Sequence, residues 1–202
     1  MKREDNQNYI VVITASAGGL SAINEILSRL PDDFPAPIAL SEALPKVIAQ
    51  HLYPKHQSMM AEILNKQTSL SVKQAQAGDQ ICAGKVYIAP PDLHLLVDAD
   101  GCLSLSDSEK VNFTRPAGDV LFKSVAASFK EKCIAIVLTG MDGDGAAGVK
   151  EIKKMGGTVI VQDKANCEFA SMPDAAIKTG DVDFVVPLES IARSLMDLVV
   201  RR

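Results

Sequence analysis

No run of 18 or more apolar residues occurs in this 202-residue chain, so no segment suits a helix spanning a bilayer. Positive charge is not in excess either. The chain has 21 Lys and Arg against 25 Asp and Glu, a net charge of -4, which leaves no basic face for nucleic acid or an anionic membrane. The four cysteines, Cys82, Cys102, Cys133 and Cys167, each stand alone, without Cys-x-x-Cys or zinc-knuckle spacing. Free thiols in a reducing cytoplasm follow. His51, His56 and His94 form no metal spacing with carboxylates, so neither a metal nor an organic cofactor is expected. The first eight residues are polar and mixed in charge, lacking the apolar core of a secretory signal. With no internal repeat and no low-complexity linker, the expectation is a polar tail over 1–8 and one cytoplasmic domain over 9–202.

What the chain does have is an alternation of apolar and amphipathic runs, with 47% hydrophobic residues overall. That alternation indicates an α/β fold: a mainly parallel, doubly wound, Rossmann-like sheet with helices on both faces. Strand one is expected at Ile10–Ala15, followed by a helix whose Leu20, Ile23, Ile26, Leu27 and Leu30 form an apolar stripe. A second strand is expected through Lys46–Gln50 into His51, then a helix over 57–66 with Met59, Met60, Ile63 and Leu64 facing inward. The middle third differs. Short alternating strands near 70–73, 85–89, 94–97 and 102–105 predict a small antiparallel ribbon on one edge of the main sheet. The α/β alternation then resumes, with strands at Cys133–Leu138, Thr158–Val161 and Phe184–Val186 and helices near 118–129, 146–155, 174–178 and from Leu188.

Three apolar strands deliver a polar residue at their C-terminal ends: Ser16 after strand one, His51 after the second, and the loop Thr139-Gly-Met-Asp-Gly-Asp-Gly145. In a parallel sheet those ends share one rim, where ligands bind. A serine hydroxyl attacks well only when an imidazole takes its proton and a carboxylate holds that imidazole. Each residue also has an ordinary reading. Ser16 before Gly-Gly suits a helix N-cap or a phosphate loop. His51 competes with His56 and His94 as a surface or capping residue, and Asp142 or Asp144 could form a turn or cap the next helix. Cys133 reads as core. Cys167 reads as packing, since no basic residue beside it would activate a thiolate.

Five ordered segments carry a more specific signal: Ala-Ser-Ala-Gly-Gly, Ala-Gln-His-Leu-Tyr-Pro, Val-Tyr-Ile-Ala-Pro-Pro-Asp-Leu-His-Leu-Leu-Val, Leu-Thr-Gly-Met-Asp-Gly-Asp-Gly-Ala-Ala-Gly, and Gln162-Asp-Lys-Ala-Asn-Cys-Glu-Phe-Ala-Ser-Met-Pro173. Together they resemble the catalytic domain of the chemotaxis protein-glutamate methylesterase (CheB-type) family, from Ile10 to Leu195. The resemblance implies a cofactor-free serine hydrolase that demethylates glutamyl methyl esters on chemoreceptor signalling helices, releasing methanol, with a second activity deamidating receptor glutamines. By motif position the nucleophile falls on Ser16, the histidine on His51 and the aspartate on Asp144 rather than Asp142. Backbone N–H groups of Ala17 and Met141 become the oxyanion candidates, and the loop 166–172 is expected to line the cleft.

Three departures qualify the resemblance. Thr14 stands where the motif begins with glycine, and Asp142 replaces a glycine in the second loop. Ser16 and His51 are 35 positions apart, more than the spacing expected, the surplus falling in Pro37–Pro45, which reads either as a surface loop or as an insertion that shifts the strand register and displaces His51. The family's N-terminal receiver domain has no counterpart in this sequence, so the expectation is either a standalone esterase, ungated in cis and controlled by a partner or by abundance, or a fragment of a larger protein. Two other readings remain open at this point: a catalytically degenerate receptor-binding module, and a phosphate-binding module. The second lacks both the P-loop lysine and Gly-x-Gly-x-x-Gly spacing.

Overall fold

The computed structural model describes residues 9–42 and 59–200, and side chains of 9–40 and 59–199. Its main sheet is built on a strand of continuous apolar character. In β1 (Ile10–Ala15) every residue is buried, as expected for a strand covered on both faces. β1 pairs in parallel with β2 (Ile38–Glu42) on one side and β7 (Cys133–Val137) on the other. With β3 (Ser71–Gln74), β4 (Lys85–Ile88), β8 (Thr158–Gln162) and β9 (Phe184–Val186), the order is β3-β4-β2-β1-β7-β8-β9, and all pairings are parallel. From β1 the chain winds first to one side and later to the other. The point of reversal lies between β1 and β7, so a crevice opens at their C-terminal ends.

The period-2 alternation of β1 divides the core in two. Val11, Ile13 and Ala15 pack with α1 (Gly19–Leu27), α2 (Met60–Asn65) and α6 (Leu188–Val200). Ile10 and Val12 face α3 (Gly118–Phe129), α4 (Ala146–Lys154) and α5 (Ser171–Lys178). The stripe read from sequence on α1 is real: Ile23, Ile26 and Leu27 are fully buried, each contributing about 1.5–3 kcal/mol. The antiparallel ribbon, β5 (His94–Val97) and β6 (Leu103–Ser106), packs Leu95, Val97 and Leu103 into the α3 side. No helix among the described residues is long and apolar enough to cross a membrane.

Three expectations are corrected. Within the segment Pro37–Pro45, Ile38–Glu42 is no surface loop but β2, hydrogen-bonded between β1 and β4, with Ile38, Ala39 and Leu40 buried; 43–45 lie outside the described residues. Flanking prolines disguise it. An interior strand needs only a short apolar run, and Pro37 meets the ladder through its carbonyl, which accepts the Val11 N–H at 3.0 Å. The strand expected at Lys46–Gln50, and His51 after it, lie outside the described residues. Of the four middle strands, β3 and β4 extend the parallel sheet and only β5 and β6 form the ribbon. The connection 75–84 pairs with that ribbon through Gly78 N–H to Leu103 O and Ile81 N–H to Gly101 O. On α2, Met60 and Leu64 are buried, but Met59 and Ile63 face solvent.

Candidate functional site

Ser16 ends β1 at the crevice, and its surroundings come from three loops. Its N–H donates to Thr139 O at 3.0 Å, carrying the β1–β7 pairing one step past the strands. Its carbonyl accepts the Gly19 N–H at 2.8 Å as α1 begins. Between them Gly18 sits at φ 78°, where a Cβ would stand 2.7 Å from Glu168 Oε2, so both backbone and space require glycine. Gly140 is constrained by space alone. A Cβ there would lie 2.0 Å from Met172 Sδ and 3.0 Å from the Ser16 Cβ. The β7 loop therefore lies directly against Ser16, on the side of α3, α4 and α5.

Two polar residues that the sequence reading passed over hold this loop. Thr139 and Gln162 are buried at the ends of β7 and β8. Gln162 Oε1 accepts the Thr139 N–H at 3.0 Å, while its Nε2 donates to Asn166 O. Thr139 Oγ1 lies 3.0 Å from Ala17 O and accepts the Phe169 N–H at 2.9 Å. Gly140 N–H donates to Phe169 O, and Met172 N–H to Gly140 O. The segment 166–172 is thus stitched to the Ser16 loop, in line with its expected place at the cleft. The readable signal was a polar residue closing an otherwise apolar strand. The N–H groups of Ala17 and Met141 have no acceptor among the described residues. The Met141 side chain is 63% exposed.

Asp144 occupies the start of α3. Its Oδ2 accepts the Gly118 N–H at 2.5 Å, and its Oδ1 accepts N–H groups of Asp119 and Gly145, each at 3.0 Å. The N–H groups of Gly118 and Asp119 are the first of α3 and have no partner within the helix. Only 2% of Asp144 is exposed. Burial pushes its carboxyl up to about 6, the charges of Asp119 and Asp142 act in the same direction, and the Gly118 and Asp119 N–H groups oppose them. Asp142 has a different position: half-buried, its Oδ1 accepts the Asp144 N–H, so it shapes the turn.

Of the three histidines, His94 is fully buried and committed to structure. Its Nδ1 accepts the Ala117 N–H at 3.2 Å, which places the ring proton on Nε2, 3.0 Å from Glu109 O. It ties the ribbon to the start of α3. His51 and His56 lie outside the described residues. Cys133 is buried, and its thiol is held upward by burial. Burial and the neighbouring Asp163 push the Cys167 thiol up to about 11, the reverse of an activated thiolate.

The crevice therefore brings Ser16, the Ala17 and Met141 loops and the Asp144 loop to one rim. Comparison with known proteins gives the same frame. The family model for the CheB methylesterase matches residues 11–195. A relative from Leptospira interrogans serovar Lai, named putative protein-glutamate methylesterase/protein-glutamine glutaminase, is 41% identical over 192 residues, covering 95% of both chains. A protein-glutamate methylesterase/protein-glutamine glutaminase from Symbiobacterium thermophilum is 37% identical over 186 residues, 92% of this chain but 49% of that protein. The chain thus spans about half the length of that relative. The crystal structure of the Thermotoga maritima CheB methylesterase catalytic domain superposes with a TM-score of 0.87 at 38% identity, covering 95% of this chain and 98% of that one. Sequence and fold agree over almost the whole length: the chain belongs to the CheB methylesterase family.

Proposed function

We propose that this protein is a serine hydrolase that demethylates glutamyl methyl esters of chemoreceptors and deamidates receptor glutamines, through Ser16, His51 and Asp144. Ser16 Oγ attacks the ester carbonyl carbon while His51 takes its proton. The tetrahedral oxyanion accepts hydrogen bonds from the N–H groups of Ala17 and Met141. Collapse breaks the bond to methoxide, which takes the proton from His51 and leaves as methanol. Water then attacks the acyl-enzyme with His51 again as base, freeing the glutamate side chain. With a glutamine substrate, ammonia leaves in place of methanol. Asp144 orients the imidazole and stabilises the imidazolium.

The observation that carries this reading is the packing of Ser16 against Gly140, which sets the serine beside a loop whose Asp144 is buried and locked by three backbone donors. The names of the relatives supply the substrate. The test is covalent capture. A fluorophosphonate probe should label Ser16, read by mass spectrometry, and Ser16→Ala should abolish methanol release from methylated receptor membranes while leaving the urea midpoint unchanged. Methanol release at the wild-type rate by Ser16→Ala would overturn the assignment.

A second reading, a receptor-binding module without catalysis, draws on Thr14. Its Oγ1 is buried without a hydrogen-bond partner among the described residues, at a cost of about 1–3 kcal/mol, on the strand that carries Ser16. An unlabelled but folded wild-type protein would favour that reading.

A further inference from the structure

α3 and α4 begin side by side, and neither is capped by a side chain of its own N-cap residue. Each is capped by a carboxylate supplied from the other helix start. Asp144, just ahead of α4, accepts the N–H groups of Gly118 and Asp119. Asp119, in the first turn of α3, accepts the Gly148 N–H of α4 at 2.7 Å through Oδ1. Its Oδ2 accepts the Asn112 side-chain amide at 3.1 Å. Glycines permit the approach. A Cβ on Gly118 would stand 2.2 Å from Thr14 Oγ1, and one on Gly148 would stand 2.5 Å from the Phe122 Cβ.

Capping alone does not call for a second carboxylate. Asn or Ser accepts a helix N–H about as well as Asp, without the cost of burying a charge. Asp119 is 2% exposed, next to an equally buried Asp144, and neither forms an ion pair among the described residues. Among the described residues, Asp142 on the same loop and Glu168 against Gly18 are negative too, while the cation just ahead of α3, Arg115, is spent on Asp92 and on the carbonyls of Asp107 and Ser108. Thr14 on β1 and Gly148 on α4 bring no charge. A buried surplus of negative charge is stabilised by a cation that forms beside it.

We propose that Asp119 is a positioning residue for the reaction: its carboxylate ties the start of α4, which follows the Asp144 loop, to the start of α3, and it adds a second buried negative charge that stabilises the imidazolium formed as Ser16 attacks. This rests on the Ser-His-Asp reading and deepens it. The charge of Asp119 does not touch substrate; it acts through Asp144 and through the field at the base.

Asp119→Asn separates the charge from the cap. Its Oδ1 keeps the Gly148 bond, and Asn112 meets the new amide by turning its own. The readout is the pH dependence of Ser16 labelling by a fluorophosphonate. Loss of the charge makes the imidazolium less stable and lets Asp144 ionise at lower pH, so both effects move the acid limb the same way. The limb should shift down by about 0.5–1 pH unit. The plateau rate should fall about three- to tenfold, and in methanol release the loss should fall on kcat rather than KM. Asn112→Lys, at an exposed turn position, exchanges the amide donor to Asp119 Oδ2 for an ammonium, offsets the same charge while keeping the Asp119 carboxylate, and should shift the limb in the same direction. It decides the matter if Asp119→Asn does not fold. A labelled wild-type Ser16 with an unmoved limb in the folded variants overturns this inference alone. An unlabelled wild type overturns the esterase reading and this inference with it.

Discussion

Asp144 and His94 show how burial with hydrogen bonding sorts residues of the same chemical type. Asp144 spends both oxygens on backbone donors yet lies beside Asp119 and Asp142, so its carboxyl titrates near 6. An asparagine there would turn an N–H toward the donors of α3 and could not balance an imidazolium. We expect Asp144→Asn to lower methanol release by about 10²–10⁴-fold, the upper end being the loss seen when the aspartate of a serine-protease triad is replaced. Initial rates on methylated receptor membranes, corrected for folded fraction, check this. His94 is equally polar and more deeply buried, but both ring nitrogens are committed to Ala117 and Glu109. His94→Ala should therefore cost about 2–4 kcal/mol in urea unfolding while leaving Ser16 labelling per folded molecule within about threefold. A loss of labelling on the scale of Ser16→Ala, with stability unchanged, would make His94 the base.

At the level of elements, the junction of β1 with the starts of α3 and α4 is set by complementary sizes. Thr14 departs from the glycine expected at its position, and its side chain fills the space in front of Gly118 and Gly145. A β-branched residue two before Ser16 narrows the turn geometry open to the serine. The structure instead directs Thr14 at the helix starts, where glycines receive it. Gly118→Ala would drive a Cβ to 2.2 Å from Thr14 Oγ1 and 2.6 Å from its Cβ. A loss of about 1–3 kcal/mol should follow, and Thr14→Gly in the same chain should recover most of it. A double-mutant cycle by urea denaturation reads the coupling; additive losses would mean that the two positions do not compete for the same space. The elements themselves were legible in sequence wherever the hydrophobic period ran long, as in β1, α1, β7 and α4. β2 was not, because three buried residues between prolines carry no period. β3 and β4 look like ribbon strands in sequence, since each is only four residues long between turns; β3 lies on the sheet edge, and β4, paired on both sides, is too short to show the long apolar run of an interior strand.

For the molecule as a whole, the buried carboxyl of Asp144 ties stability to pH. Its folded value of about 6 lies above the ordinary carboxylate value of 3.8, so between roughly pH 4 and 6 the native state holds more protons than the unfolded chain. Its contribution is fully present below pH 4 and is lost as pH rises through 6, amounting to at most about 3 kcal/mol. Urea unfolding from pH 4 to 7 should show wild type losing stability relative to Asp144→Asn over this window, with other carboxylates cancelling in the difference; a constant difference would contradict the raised value. The fold class, the order of most elements and the serine at the end of β1 follow from the sequence alone, because local hydrophobic periods fix strands and helices and short turns fix their order. The sequence also placed Asp144 in a loop after β7. It left Asp119, Thr139 and Gln162 unmarked, since a carboxylate in a helix's first turn or a polar residue closing a strand looks ordinary along the chain. Only the tertiary structure made Asp119 a partner of Asp144 and His94 a structural clamp: both results depend on hydrogen bonds that span 15 to 29 residues. Those contacts exist only once β1, α3 and α4 are packed together, and no local pattern encodes them.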